Sequence, residues 1–317
     1  METQGSDLAS LLAALRDGTT VEPGRLALLS DLSTADYEQV RGAWLTIAGE
    51  TRCMVLADAG DLAENNSEFN FDRLARIGMT DPDPVVRGLS IETTWESTDH
   101  RIASDLTRLV ASDPESQVRF AAAESLGRFV LSRELEEFDA KQGDEIIQVL
   151  RQRFSDVEEA PEVRARALAS IAYSSAPWVD ALINEAYYDE NRLLRLASIE
   201  AMGNTSEDRW AEYIDEQLLS EDPEFRFQAV ASAGEIAAIE SVDAVAALLD
   251  DEDEDVSLAA VVSLGEIGGE DALAYLKDFK ERMPEDFAEA LDVAIDAASN
   301  PWRSDDGDGE WEQEDDE

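Results

Sequence analysis

From Val86 to Gly265 the apolar positions recur at helical spacing. Aligned on Arg87, Arg119, Arg164, Arg195 and Arg226, with Ser257 in the same place in a sixth copy, successive gaps are 32, 45, 31, 31 and 31 residues. One residue before that column stand Val86, Val118, Val163, Leu194, Phe225 and Val256. Three after it are the small residues Ser90, Ala122, Ala167, Ser198, Ala229 and Ala260, and the fourth and seventh positions are mostly apolar, as in Ile91, Leu126, Leu168 and Leu264. The eighth position holds Trp95, Gly127, Ala172, Gly203, Gly234 and Gly265. These offsets trace one helical face, and small side chains on it admit a neighbouring helix at close range. A period near 31 residues is too long for one helix and suits two short helices with tight turns. No period-two run of β-branched residues competes. The predicted class is all-α: a right-handed α–α superhelix of about six repeats.

Helix starts are also written in the chain. Asp83-Pro84 and Asp222-Pro223 each place a capping carboxylate before a proline at the first helical position. Ser206 and Ser241 read as caps of the first helices of their pairs, and Ser241–Asp251 with Glu254–Gly268 reads as one complete pair. Residues 1–80 do not fit the columns and read as a helical N-terminal cap containing two longer helices; 81–280 hold the repeats. The long gap, 128–143, predicts an extended helix followed by a projecting loop. Residues 281–299 predict a capping helix with Phe287, Leu291 and Ile295 inward, and 300–317 an acidic disordered tail.

The stretch "DPEFRFQAVASAGEIAAIESVDAVAALLDDEDEDVSLAAVVSLGEIGG" resembles HEAT repeats of the short type named after phycobilisome lyases, with Asp-Pro-x-x-Val-Arg, then small and apolar residues, then Leu-Gly-x-Ile-Gly. The resemblance covers roughly 81–280 and is strongest from 189 to 268. The chain also resembles bacterial HEAT-repeat domain-containing proteins. What the resemblance implies is an armadillo-type solenoid; it implies no particular activity, because one solenoid serves many roles.

Charge narrows the picture further. Asp and Glu number 73 against 25 Lys and Arg, a net charge of −48, and only Lys141, Lys277 and Lys280 are lysines. Such a surface repels phosphate backbones and anionic lipid, so neither nucleic acid nor membrane is an expected partner. It reads either as a solubility device in a salty medium or as a surface for basic partners. With Cys53 as the single cysteine, no apolar run long enough for a membrane span and no secretory pattern in METQGSDLAS, a cytoplasmic location is expected.

Candidate chemistry is sparse. His100 is the single histidine and Cys53 lies in the apolar context TRCMVLA. No phosphate loop, dinucleotide fingerprint or zinc-ligand cluster is present, and Asp250–Asp255 and Asp305–Glu310 lack the order of a calcium loop. One histidine excludes the paired His-Glu iron chemistry of the similarly folded deoxyhypusine hydroxylase. The expectation is therefore a protein that is not an enzyme, with no cofactor and no metal. Arg87, Arg119, Arg164, Arg195 and Arg226 read as a structural column tying each repeat to the next, with an anion ladder as the alternative. The contact surface is expected on the outer, concave side of the second helices: Phe120, Glu124, Arg128, Tyr173, Leu196, Glu200, Phe227, Glu235 and Glu266, an apolar strip beside glutamates. This predicts a scaffold or adaptor for a protein with basic and apolar segments. A lyase-like or chaperone subunit acting on a chromoprotein, and an acidic nucleic-acid mimic binding a basic protein, remain as alternatives.

Overall fold

The computed structural model describes residues 2–282 and 287–299, and among them every regular element is a helix. The chain divides into two compact units, Met1–Ser174 and Ser175–Glu317.

The first unit contains α1 (Glu2–Arg16), α2 (Thr34–Trp44), α3 (Gly49–Asn65), α4 (Asp72–Gly78), α5 (Pro84–Glu92), α6 (His100–Ser112), α7 (Ser116–Glu134), α8 (Ala140–Ser155) and α9 (Pro161–Ile171). Alternate helices stack: α3, α5, α7 and α9 form one layer, and α2, α4, α6 and α8 the other. The apolar columns face between the layers, with Val86, Ile91, Val118, Leu126, Val163 and Leu168 all buried. The second unit repeats the plan with α10 (Val179–Tyr187), α11 (Arg192–Asn204), α12 (Ala211–Leu218), α13 (Pro223–Glu235), α14 (Val242–Ala247), α15 (Glu254–Ile267), α16 (Gly269–Arg282) and α17 (Ala288–Ser299). Here α11, α13, α15 and α17 stack as second helices. This is an all-α, HEAT-like solenoid architecture in each unit. None of the described helices is long and apolar enough to cross a membrane.

The glycines permit the approach of those second helices. A Cβ on Gly265 would lie 2.8 Å from the Cα of Ala294, so α17 meets α15 backbone to backbone.

Several boundaries differ from the sequence expectation. Helix pairing begins before residue 81, since α3 already occupies a second-helix place. Its Arg52 is followed at the column offsets by Val55, Leu56 and Ala59, all buried. At the N-terminal end α1 and the 3-10 segment Pro23–Leu29 stand outside the pairs, closing the end of the core with Leu11, Leu15, Leu26 and Leu29. The insertion does extend α7 to Glu134, but the segment between α7 and α8 does not project. Phe138 is buried, with its ring 5.2 Å from Phe129 and stacked at 4.6 Å on His100. At the other end α17 buries Leu291, Ala294 and Ala298, while Phe287 and Ile295 are half-buried. Pro284 and the acidic stretch 300–317 lie outside the described residues.

Helix starts follow the sequence at Asp83 and Asp222, whose side chains accept from the amides of Val85 and Glu224 at 2.9 and 3.1 Å. Ser206 and Ser241 are corrections. Ser206 has a φ of 52° and ends α11, as Ala237 (49°) and Gly268 (68°) end α13 and α15 at the same column. A left-handed residue there turns the chain out of the second helix and closes it with reversed hydrogen bonds, Ala237 N to Gly234 O and Ala238 N to Ala233 O. Ser241 precedes α14, but its hydroxyl is buried and caps nothing.

Candidate functional site

The second helices are fixed to one another by guanidinium groups. Arg87 donates two hydrogen bonds of 2.7 Å to the Asp113 carboxylate and a third, of 2.9 Å, to the carbonyl of Asp81. Arg119 grips Glu159 at 2.9 and 2.6 Å and donates to the Asp113 carbonyl at 2.7 Å. Arg226 holds Asp251 at 2.8 and 2.7 Å and the Ser220 carbonyl at 2.9 Å. Each arginine thus reaches the carbonyl six residues behind it and the corresponding acid of the next repeat. Asp81, Asp113 and Asp251 also accept from the amide two residues on, of Asp83, Glu115 and Asp253, and Glu159 from the next amide, of Ala160. Arg226 holds the Asp251 carboxyl below the usual carboxylate range. At Glu159 burial works to raise the value, but the bonds from Arg119 and the Ala160 amide outweigh it.

Arg164 and Arg195 depart from this plan. Arg164 donates to the Phe154 carbonyl at 2.8 Å, and Arg195 to the carbonyls of Asp189 and Glu190 at 2.9 and 3.0 Å. In the repeat after Arg195 the receiving position is Ser220 rather than an acid. A further member, Arg52, pairs with Asp81 at 2.9 Å and donates to the Ile47 carbonyl at 2.7 Å. No Asp-Pro precedes Arg52 in the chain, so its place in the column shows only through the buried offsets behind it.

In the first unit, the outward face of α5 and α7 forms an open groove of about 790 Å³. Glu64, Ile91, Glu92, Trp95, Gln117, Phe120, Ala121, Glu124, Ser125 and Arg128 line it. Phe120 and Gln117 also border an adjoining hollow with Ser116 and Glu162. Trp95, at 49% exposure, is the feature the column offsets conceal. Its position belongs to the inward face of a continuous helix, but α5 stops at Glu92 and the helical period lapses there. Phe120 is half-buried, with Arg166 5.3 Å from its ring centre and 3.7 Å from Glu124. Arg128 donates to the carbonyls of Thr94, Ser97 and Ser125 at 2.8, 3.0 and 2.8 Å. It therefore fastens the turn carrying Trp95, and burial pushes its pKa down to about 10. Tyr173 packs over Gly127, 3.3 Å from where a Cβ would stand.

In the second unit the face of α11, α13 and α15 carries Leu196, Phe227 and Leu258 in one column, with Val262 beside them. Phe227, Leu258 and Val262 are 42%, 40% and 46% exposed, too open to count as core. Glu200, Glu235 and Glu266 run alongside. The carboxylate of Glu235 rests over Gly203 and that of Glu266 over Gly234, each where a Cβ would collide with it. Burial of the carboxyl end, then the charges of Glu200 and Glu266, push Glu235 up to about 7, and burial raises Glu266.

The remaining reactive side chains are held in packing roles. His100 Nδ1 is 2.8 Å from Gln142 Oε1, joining α6 to α8. Burial, then Asp83, pushes the Cys53 thiol above its ordinary value, away from the nucleophilic thiolate. Among the described residues no group of histidine, cysteine, aspartate and glutamate is arranged to hold a metal ion. The acidic run Asp250–Asp255 spans the turn into α15, in which Asp253 caps the helix and Asp251 receives Arg226.

Comparison with known families agrees with this architecture. A family model described as HEAT repeats matches residues 215–292, and one described as HEAT repeat matches 104–132. The chain carries HEAT repeats. Among solved structures, the complex of CpcE and CpcF of phycocyanin lyase from Nostoc sp. PCC7120 is similar at 15% identity, over 88% of this chain and 95% of that one, with a TM-score of 0.51. YibA of E. coli is similar at 16% identity over 90% and 98%, with a TM-score of 0.46. Human deoxyhypusine hydroxylase in complex with glycerol is similar at 17% identity over 94% and 98%, with a TM-score of 0.37. At these identities the likeness is one of fold. No curated protein matches the chain.

Proposed function

We propose that these HEAT repeats form a non-catalytic scaffold or adaptor, working in the cytoplasm, whose second-helix faces hold a partner protein with basic and apolar segments. The observation that carries this reading is the exposed row Phe227, Leu258 and Val262, placed by the repeat in one strip and bordered by Glu200, Glu235 and Glu266. Large apolar side chains left in water cost free energy that a bound segment recovers, and the glutamates select what approaches. The net charge of −48 draws a basic partner in and speeds its association.

The test is affinity capture from native extract with the wild-type chain and with Phe227→Ala/Leu258→Ala/Val262→Ala, followed by measurement of the purified pair. A stoichiometric partner lost by the variant, whose melting temperature stays within a few degrees of wild type, is the expected result. An unaltered set of captured proteins, or a variant that melts far lower, means the row is packing and overturns the reading.

A further inference from the structure

The groove of the first unit has a chemistry narrower than apolar contact. Trp95 presents half of its indole to solvent, and Glu64, Glu92 and Glu124 stand around the same opening. Among the described residues neither the Trp95 indole nor the Glu64 and Glu92 carboxylates make a hydrogen bond or ion pair. Among the described residues the cation lining the groove is Arg128, whose guanidinium is turned to the carbonyls of Thr94, Ser97 and Ser125. The opening is thus an aromatic face beside uncompensated negative charge. The chain itself fills the neighbouring position with arginine: Arg166 lies 5.3 Å from the Phe120 ring centre and 3.7 Å from Glu124.

We infer that this groove receives an arginine of the partner protein, its guanidinium over Trp95 and against Glu92 and Glu64, with an adjoining apolar side chain against Phe120. The inference rests on the adaptor reading and names the chemistry of its occupant. Arginine fits better than lysine because a planar guanidinium stacks on an indole while its edge still donates to carboxylates. Charge complementarity fixes the sign, and exposed tryptophan is the kind of anchor on which binding energy concentrates.

The probe is a fluorescein-labelled peptide of leucine and arginine, compared with the same peptide in which citrulline, neutral and of the same shape, replaces each arginine. Anisotropy is read at about 0.15 M ionic strength, where long-range attraction is screened. The full chain is tested as wild type, as Trp95→Ala, as Glu64→Gln/Glu92→Gln, and as the remote control Glu240→Gln/Glu254→Gln. We expect the arginine peptide to bind at least about fivefold more weakly to the first two variants, the control to match wild type, and the citrulline peptide to bind all four poorly and alike. Equal losses in the control and in Glu64→Gln/Glu92→Gln mean general attraction to an acidic surface. Binding that ignores Trp95, or that treats citrulline as arginine, equally overturns the inference. The two proposals fail separately. If the captured partner depends on Phe227, Leu258 and Val262 while citrulline and arginine peptides bind alike, the adaptor stands and this occupant does not.

Discussion

Arg87 shows what a single side chain does in this architecture. Its guanidinium and the Asp113 carboxylate are both almost fully withdrawn from water, and each has its hydrogen-bonding capacity met by the other and by nearby backbone. Removing one partner strands the other, so Arg87→Met should cost about 3–5 kcal/mol in urea unfolding. For Arg195 the column position that would receive it is Ser220, where Arg87, Arg119 and Arg226 have Asp113, Glu159 and Asp251; Ser220→Asp should supply the missing carboxylate and raise stability by about 1 kcal/mol. Glu235 makes the opposite case. Its pKa rises from 4.5 to about 7, so between those values the folded chain keeps a proton the unfolded chain has released. Stability from this group is whole below about pH 4.5, falls as pH rises, and above about 7 the loss is constant. Because its stem is exposed, solvent screening cuts the effect, and Glu235→Gln should gain about 1 kcal/mol at alkaline pH and nothing in acid. The arginine column is legible in the sequence. The acids that receive it are not, although they stand five or six residues before the next column position, because in so acidic a chain no single carboxylate is conspicuous.

At the scale of the element, the sequence reveals the inward face of each second helix and hides where the helices stop. Offsets of three, four, seven and eight are legible because close packing demands small or apolar side chains there. Helix ends depend on one backbone torsion, which Ser206 and Ala237 adopt without being glycine. Trp95 reads as an inward position for the same reason: nothing in the column marks the end of α5 before it. The non-glycine termini carry strain that Gly268 avoids, so Ala237→Gly should raise the melting temperature, by about 1 kcal/mol of stability. The measurement is thermal unfolding followed by circular dichroism. A loss of stability would show that the left-handed turn is not what ends α13.

For the molecule as a whole the dominant quantity is charge. With −48 distributed along 317 residues, self-repulsion opposes compaction, and salt relieves it. The melting temperature should therefore climb by roughly several degrees as sodium chloride rises from low concentration toward about 1 M. A flat response would mean the buried pairs, which salt scarcely reaches, govern stability. Those pairs have one more consequence. Asp81 takes Arg52 on its carboxylate and Arg87 on its carbonyl; Asp113 takes Arg87 and Arg119 in the same two ways. Every such copy therefore carries a plug at one end and its matching socket at the other. A gene that duplicates one stretch of this kind acquires a joint already cut to fit, and the chain can lengthen by copying.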